Sequence, residues 1–191
     1  EEPLVIKTAM VRRLASARWR QRVRSTVDKV AFVVGNPSTE GFAKAFPSKA
    51  NRGEIDPPPL PGAEDEAYSV SRILRAAGYQ PVESIGSDQR AVDIINRLFQ
   101  RPYRILHIAA HGEFDLKGAD GRARTGVLLS DGLMLTAAEV GQMEVVPDLV
   151  FLNCCHLGTI DGVPVVRGVE YNKLATSLSR ELIEMGVRAI V

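Results

Sequence analysis

The chain is short of cysteine and histidine, has no long apolar run and no repeat, and each scarcity removes a class of protein. Its two cysteines, Cys154 and Cys155, are neighbours among 191 residues. They cannot staple distant segments, so no disulfide framework holds the fold, and a reducing cytoplasmic compartment is expected. No apolar run approaches the ~20 residues that span a bilayer, and no signal-peptide pattern opens the chain. A membrane partner is therefore not expected. The first apolar run leads into "GNPSTEGFAK", which lacks both Gly-rich phosphate-binding patterns, so a nucleotide domain is excluded.

What is present is ordinary in amount and uneven in distribution. Hydrophobic residues make up 45% and charged residues 25% of the chain, the balance of a globular domain with a real core. Net charge is +1. Residues 1–29 hold eight Lys and Arg against three acids, leaving +5 there and −4 in the remainder. A basic segment can bind nucleic acid. Here Met10, Leu14, Trp19 and Val23 recur at helical spacing, so arginine covering the wet face of a helix is the better reading and nucleic acid is not an expected partner. The expected organisation is a basic N-terminal helix or linker over 1–29 and one domain over 30–191. The chain opens on Glu1 and stops at Val191 in a strand-like run, and we take it as a piece of a longer protein, truncated at the C-terminal end.

Strands and helices alternate along that domain. "VAFVVG" reads as a buried strand closed by an Asn-Pro turn, and residues 39–62 as loop. Residues 63–78 read as a helix with Ala67, Val70, Ile73, Leu74 and Ala77 on its inner stripe. After a strand at 79–86, Ser87 or Asp88 caps a helix with Val92, Ile95, Leu98 and Phe99 inward. "YRILHIAAHG" (103–112) is a strand ending in His-Gly, and "TGVLLSDGLMLT" (125–136) a hairpin turning at Asp131-Gly132. Thr136 caps a short helix, residues 147–155 are another apolar strand, residues 172–186 a helix, and "VRAIV" one more strand. Strands that are apolar throughout and alternate with helices predict a three-layer α/β/α sandwich with a mainly parallel sheet.

In such sheets chemistry gathers outside the carboxyl ends of the strands. Two of the strands end unusually, one in His111-Gly112 and the other in Cys154-Cys155-His156. If they are neighbours, an imidazole faces a thiol and can hold or remove its proton. The oxyanion formed on attack at a carbonyl needs two donors, and the backbone N–H groups of Gly112 and of the nucleophilic cysteine are suitably placed. Side chains alternate along a strand, so only one cysteine can face His111. Cys155, nearer the strand end, is the more exposed position, and Cys154 then packs as a small hydrophobe. His107, two pleats before His111, reads as hydrogen-bonded core. Zinc would need adjacent residues of one strand to share a tetrahedral ion, and the vicinal pair has neither C-x-x-C spacing nor easy disulfide geometry. No metal or cofactor is expected.

The spacing resembles that of caspases, whose histidine lies about 50 residues before the cysteine; here it is 44. Four segments in order resemble the CHAT family, caspase-like domains often fused to tetratricopeptide repeats: "VVGNP" (33–37), "LPGAEDEA" (60–67), "ILHIAAHGEF" (105–114) and "LVFLNCCHLG" (149–158). Laying the family's "LSACeTG" over "LNCCHLG" puts Cys155 at the nucleophile and Cys154 at an alanine. The resemblance implies a caspase-like fold, His111 as general base and acid, a protein or peptide substrate, and regulation by repeat domains or a partner protein. Asn153, His156 and Leu157 depart from the pattern. His156, Asp161 and Glu170 are candidate substrate contacts. The rival reading is a catalytically silent caspase-like signalling or assembly module.

Overall fold

The computed structural model describes residues 24–47, 56–118, 121–156, 159–160, 163–164, 180, 182–184 and 186–191. Most of the N-terminal basic segment, most of the 172–186 helix, Asp161 and Glu170 lie outside the described residues.

The apolar runs become strands as expected. β1 (Val30–Gly35), β2 (Gln80–Ile85), β3 (Ile105–Lys117), β6 (Leu149–His156) and β9 (Ala189–Ile190) pair in parallel in the order β2-β1-β3-β6-β9. β4 (Ala123–Leu128) and β5 (Met134–Leu135) add an antiparallel hairpin to β3. The turn between them holds Asp131 and Gly132 at φ 60° and 69°, the two positive φ values that a type I′ turn requires. A separate two-stranded ribbon pairs β7 (Thr159–Ile160) with β8 (Val163–Pro164).

Helical segments among the described residues that connect these strands include α1 (Phe42–Ala45), α2 (Pro61–Ala76), α3 (Ala91–Gln100) and α4 (Ala137–Gly141). α2 covers one face of the sheet. α3, α4 and Leu182 pack on the other face, with Phe32, Leu106, Ile108, Ala110, Val150 and Cys154 in one buried cluster. Each fully buried large side chain there contributes about 1.5–3 kcal/mol. A smaller cluster joins Phe42 and Phe46 to Leu116, Leu128 and Met134 beneath the hairpin. This is the α/β sandwich expected from the alternation of elements.

Three local expectations are corrected. β3 does not end at His-Gly; it runs five residues further, to Lys117. Gly112 pairs with His156 on one side and Val127 on the other, so β4 occupies the side of β3 that β1 vacates after Gly35. His111-Gly112 therefore marks the end of the parallel ladder with β6, not the end of the strand. α3 begins at Ala91, and neither Ser87 nor Asp88 caps it; Ser130, from the hairpin turn, accepts the Ala91 N–H at 2.9 Å. A cap supplied from a remote turn leaves no local signature.

The inner faces of both long helices match expectation only in part, with Ala67 and Leu98 buried as expected. Ile73 is 65% exposed, Val92 54% and Phe99 44%, while Ala67 and Ser71 of α2, and Ala91, Ile94 and Leu98 of α3, are buried. On α2 the cause is close approach. A Cβ at Gly35 would lie 2.3 Å from the Ala67 Cβ, so only small side chains fit against β1, and Ile73, two residues past Ser71, turns outward. By contrast, Thr136 caps α4 as expected, in a capping box with Glu139.

Candidate active site

The geometry starts from register. β3 and β6 pair in parallel with His111 opposite Cys155, Ala110 opposite Cys154 and Gly112 opposite His156. Cross-strand partners share a face and successive residues alternate. Positions 111 and 155 therefore lie side by side on the α2 face, and position 154 on the other. Cys154 is 8% exposed and belongs to the apolar cluster with Ala110. His156 follows on β6, beside Gly112.

His111 is 6% exposed. Its Nε2 lies 2.8 Å from the carbonyl oxygen of Pro58. A carbonyl can only accept, so Nε2 carries the proton, and in the neutral ring Nδ1 keeps its lone pair. Burial holds the His111 pKa below its ordinary value, with the Pro58 hydrogen bond opposing. The ring is thus neutral near pH 7 and able to take a proton at Nδ1.

Sequence reasoning placed no third group beside the pair, and the reason is physical. The orienting acceptor is a main-chain oxygen in the loop "DPPPLPG", and a carbonyl has no residue-type signature. A strap of residues 56–60 carries it. Asp56 accepts the N–H groups of Gly41 and Ala43 at 2.9 and 2.8 Å, Thr39 Oγ1 donates to the Pro57 carbonyl at 2.7 Å, and the Leu60 N–H donates to Asn36 Oδ1 at 2.7 Å. Asn36 and Glu64, in turn, are joined at 2.8 Å. "VVGNP" and "LPGAEDEA" meet one another here.

His107 is 3% exposed and stacks on Phe151 with ring centroids 4.9 Å apart. Its Nε2 lies 3.2 Å from Glu66 Oε1 without hydrogen-bond alignment, so the expectation of a hydrogen-bonded core histidine is met only in its burial. Desolvation lowers its pKa and the Glu66 carboxylate opposes. Glu66 also accepts from Asn153 Nδ2, two residues before Cys155. Neither Glu66 nor Asn36 stood out in sequence. Among the described residues no three metal-ligating side chains converge, and no helix is long and apolar enough to cross a membrane.

A mainly parallel α/β sheet with His-Gly and cysteine on adjoining central strands defines a caspase-like domain. The CHAT domain model matches residues 2–191, and the chain belongs to the CHAT family of caspase-like peptidase domains. No curated protein and no solved structure is matched by this chain.

Proposed function

We propose that this domain is a cysteine endopeptidase that cleaves protein substrates through His111 and Cys155. The observation that carries the reading is the parallel register setting His111 beside Cys155 on one face, with Cys154 packed into the core on the other. His111 Nδ1 takes the thiol proton, and the Cys155 thiolate attacks the scissile carbonyl carbon. The Gly112 and Cys155 amides stabilise the oxyanion. Collapse expels the amine, which receives the proton from His111, and leaves a thioester. Water, deprotonated by His111, then hydrolyses it and restores the thiol. His156, which pairs with Gly112 in the ladder, would be a further contact to substrate flanking the scissile bond. Regulation would come from repeat domains or a partner protein.

The test is a peptide library derived from a proteome, incubated with the protein and read as new termini by mass spectrometry. Wild type and Cys154→Ala should cut alike, and Cys155→Ala should not cut. Cleavage that survives Cys155→Ala sinks the assignment, and loss in Cys154→Ala alone moves the nucleophile by one residue. Absence of cleavage by wild type, with Cys155 still alkylated, favours the silent signalling module.

A further inference from the structure

We propose that Asn36 is a positioning residue that fixes the tautomer of His111 through the proline strap, an inference that rests on the peptidase reading for its consequence but not for its geometry. A neutral imidazole has two tautomers of similar energy, and only one leaves Nδ1 free to accept a proton. What selects that form here is one acceptor, the Pro58 carbonyl at 2.8 Å. Its value depends on being held still.

The strap is built for that. Pro57, Pro58 and Pro59 have φ restricted near −65° and no N–H, so the segment is stiff and offers the imidazole no competing donor. The first backbone donor after them is the Leu60 N–H, and Asn36 Oδ1 takes it at 2.7 Å. Asn36 Nδ2 donates to Glu64 Oε2 at 2.8 Å, anchoring the same residue to the first turn of α2. Its own N–H donates to the Ala109 carbonyl at 3.0 Å, two residues before His111 on β3. One residue, 4% exposed, thus holds the carrier of the acceptor through its side chain, and the strand that carries the histidine through its main chain.

The residue type follows from three demands met at once. The backbone stands at φ 51°, a conformation open to glycine and tolerated by asparagine. The side chain must accept from Leu60 and donate to Glu64. Aspartate meets the first demand but sets an acceptor against a carboxylate; glycine offers no side chain at all.

The experiment uses the full chain with nitrogen-15-labelled histidine, His111 being assigned by its loss in His111→Gln. Ring-nitrogen shifts report which nitrogen carries the proton. Wild type should show a single form, protonated at Nε2. Asn36→Gly, which keeps the backbone conformation accessible, and Asn36→Asp should each show mixed tautomers. Where peptide is cleaved, kcat should fall about fivefold to tenfold with KM unchanged, the size of one neutral hydrogen bond. Asn36→Asp with Glu64→Gln returns a donor from the opposite side, and should recover the single form and most of the rate. An unchanged tautomer in either folded single variant, or no recovery in the double variant, overturns the proposal. The nitrogen shifts need no turnover, so failure of the peptidase reading leaves this result separately readable.

Discussion

The same two strands, β3 and β6, present two different worlds on their two faces. On one side lie Leu106, Ile108 and Ala110 beside Val150, Leu152 and Cys154, packed under α3. On the other lie His107, Ala109 and His111 beside Phe151, Asn153 and position 155, under α2 with Glu66 and the proline strap. Nothing but parity along the strand separates them. A shift of one residue in the register of either strand would put Cys154 or His156 opposite His111 in place of Cys155. The two adjacent cysteine positions thus fall on opposite faces, 154 in the apolar cluster and 155 at the register position opposite His111.

The largest expected break in this comparison is functional and confined to the α2 face. His111→Ala should lower kcat/KM about 10²–10⁴-fold, the usual worth of a general acid–base. It should cost little stability, because it removes a buried imidazole held by one hydrogen bond. Steady-state rates and urea midpoints on the same preparation check both halves. On the opposite face the pattern should invert. Leu106→Ala, at a fully buried position, should cost about 2–5 kcal/mol in urea unfolding. Activity per folded molecule should be kept. A large rate loss at matched folded fraction would mean that the two faces are not independent.

How far the site was legible follows the same division. Side-chain chemistry at strand positions was readable: His-Gly, the cysteine pair and their 44-residue separation stand in the sequence, and apolar β-branched runs announce the parallel strands. The Thr136 cap and the Asp131-Gly132 turn were readable too, because both are local. Contacts that tie residues distant in sequence were not. Ser130 capping α3, the Pro58 carbonyl on His111 and Asn36 on Leu60 join segments 24 to 53 residues apart. In each of them at least one partner is a backbone group that no residue type marks. The exposure of Ile73 was hidden for a related reason. Hydrophobic periodicity favours Ala67 and Ile73 alike, but close packing on Gly35 keeps the small Ala67 inside, and Ser71 rather than Ile73 is buried one turn on.

A pH series sharpens the contrast at smaller amplitude. Burial lowers the His111 and His107 pKa values from 6.5. The unfolded chain therefore binds more protons than the folded one below about pH 6.5, so stability rises with pH there. The contribution is fully present above the unfolded value and is lost as pH falls through the folded values. Urea midpoints of wild type should drop between pH 7.5 and pH 5, and His111→Gln should drop less. Equal slopes would show that protonation of His111 does not differ between the folded and unfolded states. Leu106 carries no titrating group, so Leu106→Ala should lower the whole curve without changing its slope over this range.

The smallest effect belongs to Cys154, and it tests the parity argument most directly. Cys154→Ala removes one sulfur from a packed cluster and leaves room for partial collapse, which predicts a loss of about 1 kcal/mol and no change in rate. Cys154→Ser conserves the volume closely but buries a hydroxyl, and should cost more than alanine unless that hydroxyl finds a partner. Position 155 should show the opposite ranking: both substitutions abolish cleavage, and neither should move the urea midpoint by more than a few tenths of a kcal/mol. Alkylation adds a readout independent of turnover. In the folded protein iodoacetamide should modify Cys155 in the Cys154→Ala variant, while Cys154 in the Cys155→Ala variant should react only at the rate of unfolding. Equal reactivity of the two thiols in the folded state would remove the distinction between the faces, and with it the assignment of one cysteine to packing and the other to chemistry.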